Sequence, residues 1–261
     1  MQASVSKTEP RFSIITIYRF GDESSLDRTI ASIECQTLPP SELILVLSNA
    51  VSFNREINLR TCDIKVLINE DNGIYDAMNL GLDLVSCTHV FFLNGGDKFH
   101  DERSAQYIMR AVEAAPTHVH IFQTLQTFGD TQFLRPTRKE LFSGKFCPPH
   151  QGFVAPMAAV GETRFDQSRF PIAADAHWMK AVSLRANNLF HETVVAEFFL
   201  GGISNSPSLR TVSIRYHEAG VRRAVKEVVK LILFNILGAK AYYSCTFRGK
   251  QKIKQCSFLE P

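Results

Sequence analysis

Apolar residues in the first half of the chain fall in short unbroken runs: FSIITI (Phe12 to Ile17), ELILVL (Glu42 to Leu47), DIKVLI (Asp63 to Ile68) and HVFFL (His89 to Leu93). Continuous runs of this length read as strands covered on both faces, the signature of parallel pairing. Between them the period changes. From Ser24 to Gln36 the apolar residues Leu26, Ile30 and Ile33 recur at spacings of four and three, predicting a helix that packs back on the first strand and stops before Pro39-Pro40. A second helix is predicted from Ile74 to Ser86. The alternation predicts an α/β domain with a mostly parallel central sheet flanked by helices. Ligands bind at the carboxyl ends of strands in such sheets, so the loops after Ile17, Leu47, Ile68 and Leu93 are where chemistry is expected.

Beyond Asp97 a helix from Glu102 to Ala115 and strands near His118 to Thr124 and Thr131 to Leu134 extend the sheet. From Phe146 to Gly202 the pattern is irregular, with CPPHQGFVAP, a helix from Ala174 to Arg185 and a strand near Thr193 to Phe199. Between Val221 and Leu237, Arg222, Arg223, Lys226, Glu227 and Lys230 fall on one arc of a helix, with Val221, Ala224, Val225, Val228 and Ile232 on the other. Lys230 and Lys240 interrupt the apolar stretch before it reaches the roughly 20 residues of a membrane span. The expected organisation is a disordered 1–10, a globular domain over 11–210 and a basic amphipathic helical segment over 211–261.

The formal charge of +3 gives no reason to expect a nucleic-acid partner. Its distribution is uneven. Nine Lys/Arg against Glu227 make +8 between Arg222 and Lys254, leaving −5 elsewhere. Such a segment suits a membrane surface rich in anionic lipid, the alternatives being packing on the domain or against a homodimer partner. The six cysteines form no Cys-x-x-Cys pair, which reads as reduced structural thiols rather than a zinc or redox motif. MQASVSKTEP has no basic stretch followed by an apolar one, so a cytoplasmic chain is expected, peripheral on the inner face of the membrane if the basic segment binds there.

Two segments concentrate polar residues. In NEDNGIYDAMNLGL (Asn69 to Leu82), an acidic loop with Gly73 leads into a helix on which Asp76, Asn79 and Asp83 share one face, while Ala77, Leu84 and the small Gly81 can pack on the sheet. A solvated acidic face complementing the helix dipole is the simpler reading of this segment alone. In HVFFLNGGDKF, a buried strand runs into Asn94-Gly95-Gly96-Asp97, where glycines permit close backbone approach and the acid can reach a divalent cation; a Gly-Gly turn with a capping Asp explains the local pattern equally well.

Together, in this order, the segments resemble glycosyltransferase family 2, in which a helix reading D-x-GIYDAMN-x-G precedes a strand ending in an acidic metal motif. FSIITIY, Ser32 to Gln36 with P-x-E-L-I following, PHQ at Pro149 to Gln151, IAADAHWMK and GGIS at Gly201 to Ser204 extend the match over residues 12 to 205. The chain looks most like the small bacterial enzymes that build colanic-acid-like and O-antigen polysaccharides.

The resemblance implies a GT-A fold that moves a sugar from a nucleoside diphosphate sugar to a hydroxyl of a saccharide acceptor, polyprenyl-linked in related enzymes, with inversion. Mg²⁺ or Mn²⁺ would be held by Asp97 and would neutralise the leaving diphosphate. Asp175 matches the catalytic base, with a helix N-cap as the structural alternative. Thr16 and Tyr18 match the nucleotide-binding end of the first strand. Asp71, Gly73, Asp76, Asn79, Asn94, Gly95 and Gly96 would shape the donor pocket. His150 and Gln151, after the rigid Pro148-Pro149, are candidates for binding sugar or acceptor, as are Gly201 and Gly202, a plain strand-end turn being the alternative for the glycines.

The sequence departs from the family at two places. The second strand runs into Leu47-Ser48-Asn49-Ala50 without the acid that commonly reads uracil, which leaves the nucleotide open. Asn94 and Gly96 occupy places where a second metal carboxylate is common. These departures also motivate a rival, a catalytically degenerate protein that binds a nucleotide sugar or a partner at the membrane.

Overall fold

The computed structural model describes residues 9–19, 23–48, 56–57, 59, 62–70, 73–129, 131–135, 137, 148–200, 207–246 and 252–253. The predicted strands form as β1 (Phe12–Arg19), β2 (Glu42–Ser48), β3 (Asp63–Asn69) and β4 (His89–Phe92), parallel and in the order β3-β2-β1-β4. Helices α1 (Glu23–Glu34), α2 (Ile74–Asp83) and α3 (Ser104–Ala114), with β5 (Lys98–Phe99) before α3, follow the predicted order.

Alternation along β1 sends successive side chains to opposite layers. Ile15 and Ile17 join Tyr75, Met78 and Leu82 of α2 on one side; Phe12, Ile14 and Tyr18 join Leu26, Ile30 and Ile33 of α1 and Ile108 of α3 on the other. The result is a mixed α/β fold with a mostly parallel central sheet flanked by helices. At the amino ends of the strands, buried Glu42 collects Lys65, Ser13 and Ser86; burial works to raise its carboxyl, but these partners hold it below the ordinary carboxylate range. β3 departs from expectation. It is the edge strand, and Ile68 stays 63% exposed.

The second half supplies antiparallel partners. β6 (Val119–Phe128) and β7 (Thr131–Arg135) form a hairpin. The stretch around FVAP, irregular by its pattern, contains β8 (Phe153–Pro156), inserted between β4 and β6 and antiparallel to both. After the short helix α4 (Met157–Val160) and α5 (Ala174–Ser183), β9 (Asn188–Phe199) is longer than predicted; it runs parallel to β6 and pairs with β5.

The expected helical segment divides into two helices: α6 (Leu209–Ala219) begins in a capping box between Ser208 and Thr211, and α7 (Val221–Thr246) is broken at Gly238. Tyr242 and Tyr243 pack with Phe133, Phe198 and Leu200, and β10 (Lys252–Ile253) returns to pair β7. The predicted arcs of α7 divide differently: Ala224 and Glu227 are buried, whereas Val221, Val225, Val228 and Ile232 are exposed. The four described cysteines, Cys35, Cys62, Cys87 and Cys245, are free thiols; Cys147 and Cys256 lie outside the described residues, as do 1–8 of the N-terminal segment.

Gly81 sets the distance between α2 and β1, since a Cβ there would lie 2.6 Å from Ile15 Cγ2. Alanine normally gains about 1 kcal/mol over glycine inside a helix. Gly81→Ala is expected instead to lose about 1–3 kcal/mol in urea denaturation, the cost of overpacking a filled core; a gain would show that the two elements part freely.

Three histidines, one each from β4, β6 and β9, approach one another. His120 Nδ1 is 3.1 Å from His191 Nε2, and the His89 and His120 rings are 6.4 Å apart. Burial pushes His89 and His120 down from 6.5 to about 4, with the His191 charge adding to the effect on His120. The unfolded chain therefore takes up protons first as pH falls, and stability present above 6.5 is lost toward 4, by up to about 1.4 kcal/mol per pH unit for each histidine. Asp97, pushed up to about 6 by burial, has the opposite sign below that value and offsets one of them. The urea midpoint should drop between pH about 7.5 and about 5, and drop less in His120→Gln; an undiminished pH dependence in that variant would assign the effect elsewhere.

Candidate active site

The site gathers where β4 ends. Leu93 and Gly95 donate their N–H groups to the carbonyls of Ile15 and Ile17, carrying the chain one step past the sheet along β1. Gly95 lies against Tyr18, and a Cβ on it would fall 2.9 Å from that ring. Gly96, at φ +100, then turns the backbone in the left-handed region. Thr29 of α1 clamps this turn: its hydroxyl donates to the Asp97 carbonyl at 2.6 Å and accepts from Gly96 N–H at 2.9 Å.

Antiparallel β8 begins beside the end of β4, and this register delivers the preceding 3-10 turn, His150–Gly152, to the Asn94–Asp97 turn. Gly152 is pressed so closely on β6 that a Cβ would meet the Phe122 carbonyl at 2.5 Å. Two consecutive side chains then take hold of two acids. Gln151 Nε2 donates to Asp97 Oδ2 at 2.7 Å, and His150 Nδ1 lies 3.5 Å from Asp175 Oδ2. On the other side of the ring, Asn94 Nδ2 is 3.1 Å from His150 Nε2. An Nδ1 proton facing Asp175 leaves Nε2 to accept from the Asn94 amide, and Asn94 Oδ1 stays buried without a hydrogen-bond partner among the described residues.

The acids are treated differently. Asp97 is 8% exposed, and burial raises its carboxyl to about 6 against the opposing Gln151 hydrogen bond and nearby His150. Asp175 stands in the first turn of α5, which has Ala173 at its N-cap, so capping is not its role. Burial would raise Asp175 too, but His150, the Ala176 N–H at 2.8 Å and the Tyr75 hydroxyl hold it below the ordinary carboxylate range. Tyr75 donates to the Ile172 carbonyl at 2.7 Å, tying α2 to the loop that feeds α5.

The structure thus brings together Asn94, Gly95, Gly96, Asp97, His150, Gln151 and Asp175. Other sequence candidates serve differently. Thr16 is fully buried and Tyr18 packs in the α1 layer. Asn79 pairs with both backbone groups of Phe165, at 3.0 and 2.8 Å. Gly73 precedes α2 beside Gln167, and Asp76 is half-buried in its first turn. Asp71, Gly201 and Gly202 lie outside the described residues. Thr29 and Tyr75 were missed as site residues. So was Arg28, whose guanidinium lies 4.4 Å over the Phe199 ring and contributes positive charge near Asp97. Tyr75 stands inside the IYDAMN motif and was open to notice there; Thr29 and Arg28 carry no local signal.

Residues 13–182, more than half the chain, match the model of "Glycosyl transferase family 2". The chain belongs to this family. Two curated relatives, the uncharacterized glycosyltransferases Rv1514c and MT1564 from two strains of Mycobacterium tuberculosis, are each 25% identical over 208 residues, covering 75% of this chain and 78% of theirs. Among solved structures, the Staphylococcus aureus TarS fragment 1–349 resembles this family 2 glycosyltransferase at TM-score 0.56 with UDP and 0.59 with UDP-GlcNAc, at 16% identity over 88% of this chain. These likenesses establish the GT-A fold. The chain spans 66% of that UDP-bound fragment and 43% of the longer TarS chain.

Family 2 enzymes transfer a sugar from a nucleotide sugar, and GT-A enzymes commonly use a divalent cation. The residues at the β4 end fit a hard cation: the Asp97 carboxylate and the orphaned Asn94 Oδ1 are both oxygen donors. Among the described residues no group of three or more His, Cys, Asp and Glu could hold a metal, so phosphate oxygens and water would complete the shell.

Because His150 is the leading partner that keeps Asp175 low, His150→Ala should move the Asp175 titration upward, toward or past the ordinary Asp value. Carboxyl-carbon NMR of labelled protein reads this directly; an unmoved midpoint would remove His150 from that role.

Proposed function

We propose that this enzyme is an inverting glycosyltransferase that moves a sugar from a nucleoside diphosphate sugar to a hydroxyl of a lipid-linked, polyprenyl-type saccharide, at the inner face of the membrane, in bacterial surface polysaccharide assembly. The transferase unit is 11–210, with 211–261 as its basic appendage. The observation that carries the reading is the paired hold of His150 on Asp175 and Gln151 on Asp97, which sets one charged and one buried acid on adjoining sides of one turn. UDP-GlcNAc bound to TarS supports a donor of that class.

Asp97 and Asn94 Oδ1 would hold Mg²⁺ or Mn²⁺. Such a cation supplies Lewis-acid neutralisation of the charge gathering on the diphosphate. Asp175, ionised at neutral pH, accepts the proton of the acceptor hydroxyl as its oxygen bonds to the anomeric carbon on the face opposite the breaking bond to diphosphate. His150 fixes the carboxylate for that transfer. Gly95 and Gly96 keep the turn free of side chains where the donor approaches, and Arg28 adds positive charge on the diphosphate side.

Asp175→Asn should lower kcat by roughly 10²–10⁴, the range for loss of a general base, and Asp97→Ala should abolish transfer, both with the native far-UV circular dichroism retained. Calorimetric titration with a panel of donors, with and without Mn²⁺, followed by detection of released nucleoside diphosphate, checks donor and metal together. Normal turnover in both variants would sink the assignment, and donor binding without release would favour the non-catalytic reading.

A further inference from the structure

We infer that the outer face of α7 is a docking surface for an anionic lipid bilayer, which holds the enzyme flat against the membrane beside the loop feeding Asp175; it deepens, and for its biological sense rests on, the lipid-linked acceptor proposed above. Val221, Val225, Val228, Val229, Ile232 and Ile236 recur at offsets of 4, 7, 8, 11 and 15 residues, which places them on about 100° of helix circumference. All six are between 40% and 72% exposed. The helix has already satisfied its need for the fold on its other side, where Ala224 and Glu227 are buried and Phe234 meets Tyr242 and Tyr243. The outer stripe is therefore surplus to folding, and a continuous exposed apolar strip of this kind marks an interaction surface.

Charge selects the occupant. Arg222 and Lys226 border the stripe, Arg223 and Lys230 follow round the helix, and Lys240 stands past the break at Gly238; all are exposed. The acid of this helix, Glu227, is buried and bound by Lys230 at 2.8 Å. A second copy of the chain laid on the stripe would bring two rows of cations together with no exposed acid on either helix to meet them. Anionic headgroups meet the cations while the aliphatic side chains enter the acyl boundary. No described helix is long and apolar enough to cross a membrane, so α7 lies in the interface plane. The stripe spans about 24 Å at 1.5 Å per residue. Glu218, three residues before α7, accepts the Ile172 N–H at 3.0 Å, so docking sets the membrane beside the loop that leads into Asp175.

The test is co-sedimentation of the full chain with phosphatidylcholine vesicles and with vesicles rich in phosphatidylglycerol, at low and high salt, together with light-scattering mass in solution. The expected result is binding to the anionic vesicles, weakened by salt and by Arg222→Ser/Lys226→Ser, and lost by roughly tenfold or more in Val225→Ser/Ile232→Ser/Ile236→Ser. These side chains are exposed, so melting temperature and donor-dependent release of nucleoside diphosphate in solution should stay at the parent level. Equal binding by the apolar variant, failure to bind anionic vesicles, or a dimer that the apolar variant converts to monomer would each overturn the inference. Vesicle binding is read without sugar transfer, so a wrong donor or acceptor assignment shows separately, as absent turnover in a chain that still docks.

Discussion

A carboxylate buried at the end of a strand has to be met by donors or it will not stay charged, and the hydrogen bond from Gln151 to Asp97 is the contact around which this architecture is arranged. Gln151 reaches Asp97 because β8 enters the sheet antiparallel to β4, so its first residues lie where β4 finishes. That same entry places His150 one residue earlier on the Asp175 side. A single backbone turn, pinned on β6 by the absence of a side chain at Gly152, therefore fixes both acids relative to one another. The difference between them follows: burial is the largest single influence on both, but at Asp97 it outweighs the opposing partners, whereas at Asp175 His150 and the Ala176 N–H, with the more distant Tyr75 hydroxyl, together outweigh it.

What the sequence displays of this arrangement is governed by how local each decision is. The parallel strands are visible because burial on two faces leaves unbroken apolar runs, and α2 because Gly81 and its neighbours keep a helical period. β8 carries four apolar residues between a glycine and a helix, a pattern that suits a loop or a strand equally; its place between β4 and β6 is decided by partners far away in the chain. β3 shows the converse. DIKVLI has the composition of a central strand, but topology leaves it at the edge with Ile68 in solvent.

The candidate site divides on the same principle. Asp97, Asp175, His150 and Gln151 stand in motifs that name them, and the fold brings them together. Thr16 and Tyr18 share one face of β1 by strict alternation, and that face turned out to be the α1 layer. Asn79 looks like a ligand-facing polar residue on a helix; both of its amide atoms are taken by the backbone of Phe165, so it anchors the following loop instead. Periodicity reports which residues share a face, but not what covers it. The α7 arcs make the point most fully, since an acid, Glu227, occupies the covered side and six aliphatic residues the open one.

The peptide at Ile172 joins these parts. Its carbonyl accepts from Tyr75 on α2 and its N–H donates to Glu218 on α6, which Arg215 braces at 2.7 Å. Asp175 follows three residues later, so its position answers to two elements at once: α2, which packs on the Ile15 and Ile17 side of β1, and α6, which leads directly into the exposed stripe of α7. The proposed lipid-facing stripe and the proposed base are thereby linked through α6 and the backbone of Ile172, the route by which the two proposals bear on one another.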